Sequence, residues 1–358
     1  MKAFYKFILI SLILSFFVTQ NSFSQYASKR VKSKYEAYTD SLKKVDYHYV
    51  FPFWGQKAYQ RGIDLQYPIG IMANYFWMTQ GIVINNFQLG INKPDGSELL
   101  PLTPLDDEIL SFGNNTNQSW SLNFRPDIWL FPFIDLYGIF GYGRSSTTVE
   151  AVLLGKPLPT KPVEQGITTS GVGVLLAGGL GPVWISLDAN ITWNKPELLD
   201  KATMANVVGI RMGKVFTFKK HPHGNISVWI GTMFVTMQNE TLGYIKLNEA
   251  IDDYQGVKDE IVGNINEKIN DPETGPIKKK LLEKLRDAVD ESTGESTIAY
   301  NMDKQVKAHW NGLIGMQYQI NKNWQLRGEG GVIGDRKSFL ISLNYRILGF
   351  RKKSKFNP

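Results

Sequence analysis

The sequence predicts an all-β protein: an antiparallel transmembrane β-barrel of about ten strands. Long segments alternate between apolar and polar residues. From Val183 to Trp193, for example, every second residue is apolar, and Ser186, Asp188 and Asn190 lie between them. The apolar positions are rich in aromatic and branched side chains, and aromatic residues make up 13% of the chain. The links between the segments are mostly short and long in turn, which is typical of barrels in bilayers.

Membrane-spanning strands are favoured over membrane-spanning helices. A closed barrel is the only sheet architecture that pairs all of its backbone groups inside lipid. The sequence has no apolar run of the about 18 residues that a membrane-spanning helix requires. The mean hydropathy of −0.20 also suits a barrel, because the residues between the apolar positions are polar.

The number of strands depends on the first strand region, 71–91. Its apolar residues share one parity from Ile71 to Ile91, so a single long strand and ten strands in total are expected. A hairpin at Gln80 and Gly81 is the alternative; with a further strand near 61–66 it would give twelve strands. The other predicted strands are 119–130, 133–144, 166–180, 183–194, 203–218, 225–238, 304–320, 324–333 and 337–347.

One long link has a different period. Within a predicted insertion at 244–300, apolar residues recur at helical spacing on both sides of a break at 271–276, which predicts an α-helical hairpin at 247–290. Its apolar stripes must be buried on each other, on the barrel rim or on a surface partner, and these alternatives stay open. The long links are expected outside the cell, opposite short turns that contain Pro and Gly; the others are 92–118, 145–165 and 195–202.

The chain is predicted to be exported. Residues 1–24 have the basic start, the short apolar run and the small residues Ser22 and Ser24 of a signal peptide. Residues 25–64 are expected to form a periplasmic lead-in, 65–350 the barrel and 351–358 a basic C-terminal tail. A barrel that follows such a signal is expected in the outer membrane of the cell envelope.

The composition excludes several classes of function. There is no cysteine, which rules out disulfides, thiolate zinc sites and a cysteine-linked lipid anchor. The net charge of +7 is small for 358 residues, so nucleic acid is not an expected partner. No phosphate-binding loop is evident, and neither a cofactor nor a metal is expected.

Charged residues that alternate with the lipid-facing positions must face the barrel interior. Arg125 and Asp127 lie two residues apart on one strand face, and Arg327 and Glu329 repeat this arrangement. Charges inside a narrow barrel are costly unless they pair, so they predict either an ion-paired plug or a constriction that selects small solutes by charge. The predicted lumen charges are Arg125, Asp127, Asp135, Asp188, Arg211, Arg327, Glu329 and Arg346.

A catalytic site is not expected. A hydrolytic barrel needs a nucleophile or an activated water, and a base that a third group orients. His221 and His223 fall in a predicted periplasmic turn and are expected to be solvated rather than to bind a metal. His309 is predicted to face the lumen near the rim. There it could act as the base of an enzyme that modifies lipid.

Two segments resemble hairpins of small outer-membrane barrels of Gram-negative bacteria, of the porin-like and OmpA-like type. One runs from Phe124 to Tyr142, and the other from Trp324 to Gly331 with a last strand that ends at 343–347. The resemblance covers about residues 65–350. It implies that the aromatic last strand is read by the barrel assembly machinery. The basic tail and the helical hairpin depart from the family pattern, and no catalytic residue carries over.

These patterns predict a monomeric envelope protein, porin-like or structural, without catalytic activity. Its expected partners are outer-membrane lipid and, during biogenesis, the barrel assembly machinery. The alternatives are a lipid-modifying barrel enzyme with His309 as base and a surface-interaction protein that uses the hairpin at 247–290.

Overall fold

The structure, a computed structural model, describes residues 34–180, 183–199, 201–237 and 240–352. The predicted signal peptide at 1–24, the predicted turn at 181–182 and the tail from residue 353 onward lie outside the described residues. Among the described residues, no helix is both long and apolar enough to cross a membrane.

The described strands include a closed antiparallel barrel of ten strands, which confirms the predicted fold class. The strands are β1 (Ile69–Asn92), β2 (Glu98–Pro104), β3 (Leu110–Phe112), β4 (Asn115–Phe131), β5 (Ile134–Thr148), β6 (Ala151–Leu153), β7 (Lys156–Pro157), β8 (Val163–Leu180), β9 (Val183–Pro196), β10 (Thr203–Phe218), β11 (His221–Met237), β12 (Glu240–Lys246), β13 (Thr297–Val306), β14 (Trp310–Gln319), β15 (Trp324–Ile333) and β16 (Lys337–Ile347). The barrel strands are β1, β4, β5, β8 to β11 and β14 to β16. We term the end with the long links the upper end, and the end with the short turns the lower end.

β1 is one continuous strand of 24 residues, so ten strands is correct and the alternative of twelve is wrong. It closes the barrel because it pairs with β4 on one side and with β16 on the other. Gln80 and Gly81, where a hairpin was the alternative, stay paired with Asn117 and Thr116 of β4.

The outer face of the barrel is apolar. Leu122 and Phe124 on β4 are 56% and 57% exposed, and Phe140 on β5 is 56% exposed. Such a continuous surface is unfavourable in water but stable against lipid tails. Aromatic residues mark both ends of this apolar band, with Trp77, Trp120 and Phe339 on neighbouring strands towards the upper end and Tyr318, Trp324 and Tyr345 towards the lower end.

The upper half of β1 leaves the barrel wall. A bulge between Asn85 and Gln88, with Asn86 at a φ of 50°, shifts the phase of the strand. Phe87 and Ile91 therefore pack in a core above the barrel rather than on the face that meets lipid. The unbroken phase predicted over 71–91 is wrong above this bulge.

The single strand predicted at 304–320 is in fact two strands, β13 and β14. β14 lies in the barrel between β11 and β15, whereas β13 pairs with the upper half of β1. The physical reason is an exposed strand edge. β16 pairs with β1 only as far as Thr79, so the backbone of β1 beyond that point needs another partner.

The predicted helical insertion lies between β12 and β13. Its two long helices pack on each other and on residues of β1, β2 and β6, so the links form a cap with one apolar core. Most residues of the apolar stripes, among them Ile265 and Leu282, are thus buried within the chain. The helices of the described residues are α1 (Lys34–Leu42), α2 (Gly55–Gln60), α3 (Leu247–Ala250), α4 (Tyr254–Asn270) and α5 (Pro276–Glu291).

Replacing Ile265 with alanine is expected to loosen the cap but not the barrel. The side chain is 0% exposed in the cap core, so its truncation should cost about 2–5 kcal/mol of local stability. Hydrogen exchange should show faster amides in α4 and α5 and unchanged amides in β14. Ile277→Ala is the matched control, since Ile277 on α5 is 86% exposed. Equal losses of protection in cap and barrel would show that the two unfold as one unit.

The segment before the barrel packs against the lower end. The N–H of Phe53 donates to the carbonyl of Leu130 at 2.7 Å, and the Trp54 ring contacts Phe131 beside the β4–β5 turn. After the last strand, the N–H of Lys352 donates to the carbonyl of His48 at 2.8 Å. The chain on both sides of the barrel is therefore anchored at this end.

Candidate functional site

The structure places the eight predicted lumen charges on interior positions of the barrel strands, around two cavities. The upper cavity has a volume of about 440 Å³ and the lower cavity about 530 Å³. Four charged residues border both cavities, while Glu329 faces the upper and Asp135 the lower one. We term these six residues the charge layer: Arg125, Asp135, Asp188, Arg211, Arg327 and Glu329.

Glu329 on β15 is the centre of the tighter half of the charge layer. Arg211 donates to it through Nε and Nη2 at 2.7 and 2.8 Å. Nη2 of Arg327 and Nε1 of Trp229 also donate to it, each at 2.8 Å. The carboxylate is 7% exposed, and these charge-assisted hydrogen bonds offset the cost of its desolvation.

Arg125 on β4 forms the looser half. Its Nη2 is 3.5 Å from Asp135 and its Nη1 is 3.7 Å from Asp188, ion-pair distances that are too long for good hydrogen bonds. The guanidinium lies over the Tyr137 ring, 3.4 Å from its centre, and the Tyr137 hydroxyl donates to Asp188 at 2.6 Å. Because its ionic contacts are longer, Arg125 is held less firmly than Arg211.

A separate ion pair lies at the lower end of the lumen. Nη2 of Arg346 on β16 is 2.6 Å from Oδ1 of Asp127 on β4, and the two residues are 2% and 6% exposed. The pair crosses β1 at Gly70. A Cβ at Gly70 would lie 2.6 Å from Oδ2 of Asp127 and 2.8 Å from Nη1 of Arg346, so glycine provides the room for this contact.

Sequence reasoning missed two interior aromatic residues that contact the charge layer. Tyr137 and Trp229 are only 6% and 4% exposed. Tyr137 shares strand parity with Asp135, and Trp229 shares it with the interior residue Ser227. This shared parity with interior residues was the sequence signal that could have identified both aromatic residues as interior. The interior position of the two rings conflicts with the expectation that aromatic side chains in a barrel face lipid.

His309 does not face the lumen, so that prediction is wrong. His309 precedes β14, and its ring lies 5.5 Å from the ring of Phe234. Met233 and Val235, on either side of Phe234 in the strand, line the upper cavity. Phe234 is therefore on the outer face of this strand, and the ring of His309 lies beside it. Its Nδ1 is 2.9 Å from the carbonyl oxygen of Val235, and it makes no hydrogen bond to a serine or a carboxylate within the described residues. The break between β13 and β14 releases this residue from the strand geometry that the prediction assumed.

His223 lies on strand β11 rather than in a turn and packs against the lead-in, while 43% of its side chain stays exposed. Its ring lies edge-on to Tyr38 of α1 at 4.7 Å, and its Nδ1 is 3.9 Å from Asp64. Asp64 also accepts from the Tyr38 hydroxyl at 3.0 Å and from Lys322 at 2.9 Å. Burial, and then the charge of Asp64, raise the pKa of Tyr38 above its usual range, which keeps this hydroxyl a donor. α1 is thereby held beside the lower cavity.

A metal centre is not evident either. The part of the chain that the structure describes contains no group of three or more His, Asp or Glu side chains that could hold a metal ion. Exposed His221 lies at the start of β11, apart from the contacts of His223.

The sequence matches no protein-family model and no curated protein. Among solved structures, the β domain of the Bordetella autotransporter BrkA is 10% identical, with a TM-score of 0.31, over 78% of this chain and 100% of that chain. OprG from Pseudomonas aeruginosa is 10% identical, with a TM-score of 0.32, over 80% of this chain and 98% of that chain. LpxR from Salmonella typhimurium is 7% identical, with a TM-score of 0.23, over 78% of this chain and 100% of that chain.

The architecture is that of a transmembrane β-barrel. The assignment rests on the closed strand pairing and the apolar outer face of this chain.

Proposed function

We propose that the protein is a non-catalytic, porin-like channel of the outer membrane and that the charge layer is its constriction. The observation that carries this proposal is the position of the layer, which lies between two interior cavities and borders both. A solute that crosses the barrel would have to pass Arg125 and Arg211. A lumen filled throughout by side chains would instead suit a purely structural role.

The width of the barrel supports a narrow and selective path. Eight strands leave room only for side chains, whereas sixteen or more enclose a wide aqueous channel. Ten strands lie between these limits, so passage depends on the movement of interior side chains. Arg125 is the side chain expected to move, because its contacts to Asp135 and Asp188 are the longest ion pairs of the layer.

The outer-membrane location is part of the same proposal. A closed barrel with an apolar band and aromatic residues at both ends of it is stable in lipid. Export of the chain is supported by the predicted signal peptide at 1–24.

Recordings in planar bilayers test the channel. The refolded protein is expected to show small, steady conductance steps. Arg125→Gln is expected to enlarge these steps, because the shorter side chain no longer bridges to Asp135 and Asp188. It should also shift the reversal potential in a KCl gradient towards cation selectivity, since one positive charge leaves the constriction.

The matched control is Arg286→Gln, which removes an arginine from α5 in the cap and should change neither quantity. Folding of each variant is checked by its resistance to heating in SDS. Folded but silent wild-type and Arg125→Gln barrels would reject the channel and favour an ion-paired plug.

A further inference from the structure

The upper cavity contains a buried cation without a counter-charge in contact. Arg336, in the turn between β15 and β16, is 2% exposed and lines this cavity. Its Nε donates to Oε1 of Gln80 at 2.7 Å, but its buried Nη1 and Nη2 have no hydrogen-bond partner among the described residues. The adjacent Asp335 instead accepts from the backbone N–H of Gly81 at 2.6 Å. A buried guanidinium without an ion-pair partner and with two unpartnered nitrogens lowers stability, and a bound anion would offset this cost.

A second cation borders the same cavity. Lys304 on β13 lines it and forms no salt bridge within the described residues. The carboxylates that border the cavity, Asp188 and Glu329, are engaged in the charge layer by Tyr137 and Arg211. The cavity therefore combines Arg336 and Lys304, which have no ion-pair partner among the described residues, with carboxylates that already accept hydrogen bonds.

Part of the cavity wall near Arg336 is apolar. On the inward face of β16, Ser338 follows Arg336 and Leu340 follows Ser338. Leu340 pairs with Phe76 of β1, which lies one inward position from Met78. Leu313 on β14 is 5% exposed and lines the same space. A molecule whose charge contacts Arg336 would lie with its remaining atoms against these side chains.

We infer that the upper cavity binds a small amphipathic anion, a monocarboxylate with an apolar body. Its carboxylate would accept two hydrogen bonds from Nη1 and Nη2 of Arg336, the geometry in which guanidinium groups bind carboxylates most strongly. The volume of about 440 Å³ lies in the range of small-molecule sites. This site goes beyond the proposed channel function, because a barrel that does not conduct would bind the same anion.

Benzoate is the probe, and benzamide is its neutral isostere. Isothermal titration of the full mature protein in lipid nanodiscs should show saturable binding of benzoate and weak binding of benzamide. Arg336→Gln should weaken benzoate binding by about tenfold or more, since it removes charge-assisted hydrogen bonds. Arg286→Gln, in the cap, should leave the affinity unchanged.

A second variant keeps the test valid if Arg336→Gln does not fold. Ser338 lies two residues beyond Arg336 and lines the same cavity, so Ser338→Asp supplies an internal carboxylate to the guanidinium. This variant should fold, melt at a higher temperature and lose benzoate binding. Binding of benzamide as tight as that of benzoate, or full benzoate affinity in folded Ser338→Asp, would overturn the inference. Equal affinity for inorganic phosphate would overturn the amphipathic part of it.

Discussion

Replacing Glu329 with alanine is expected to destabilise the barrel by about 3–5 kcal/mol, because it leaves two largely buried arginines without their shared counter-charge. Arg211 would lose a bidentate contact at 2.7 and 2.8 Å, and Arg327 would lose its contact at 2.8 Å. The indole N–H of Trp229 would lose its acceptor as well. Unfolding in urea from lipid vesicles, followed by tryptophan fluorescence, measures the change in free energy.

The control for this variant is Glu295→Ala. Glu295 forms a comparable contact to Lys246 at 2.6 Å, but its side chain is 59% exposed in the cap. Water replaces the lost partner there, so no measurable change in barrel stability is expected. A similar loss for both variants would contradict the role assigned to burial. Glu329→Gln should lose less than Glu329→Ala, since the amide oxygen can still accept hydrogen bonds.

Replacing Gly70 with alanine should destabilise the barrel by roughly 1–3 kcal/mol, although it adds only one methyl group. The new Cβ would lie 2.6 Å from Asp127 and 2.8 Å from Arg346, which forces apart an ion pair of 2.6 Å. The two residues are 6% and 2% exposed, so separated charges cannot be solvated without opening this end of the barrel. Equilibrium unfolding in urea again measures the effect.

Gly178→Ala is the matched glycine control, because nothing lies within 4 Å of the Cβ position at this β8 residue. A double-mutant cycle isolates the ion pair. In an Asp127→Ala background, Gly70→Ala should cost much less than in the wild type, because the pair that it disrupts is already gone. Equal costs in both backgrounds would assign the effect to backbone strain rather than to the ion pair.

Strand number and side-chain facing were predictable because they follow from local periodicity. Residues two apart on a strand share a face, so Arg125 could be assigned to the interior with Asp127, and Arg327 with Glu329. The helical period of 247–290 was equally local, and it correctly predicted the hairpin now described as α4 and α5. The same rule places Tyr137 inside with Asp135, two residues before it.

The prediction failed where the chain leaves regular strand geometry. A bulge at Asn86 changes the phase of β1, and a break after Val306 turns His309 away from the lumen. Neither the bulge nor the break is strongly indicated by the local sequence around it. Both occur because the upper half of β1 extends beyond its pairing with β4 and β16. That part of the strand must pair with other strands.

Alternation along each strand sets the chemical character of this protein: apolar outside, charged inside, and closed on itself so that no edge meets lipid. Which charges meet depends on closure, because the partners are far apart in the chain. Arg211 and Glu329 are separated by 118 residues, and Asp127 and Arg346 by 219. Their contacts, the unpaired state of Arg336 and the burial of the helical stripes depend on strand register and barrel width, which arise from the packing of the whole chain rather than from any local segment.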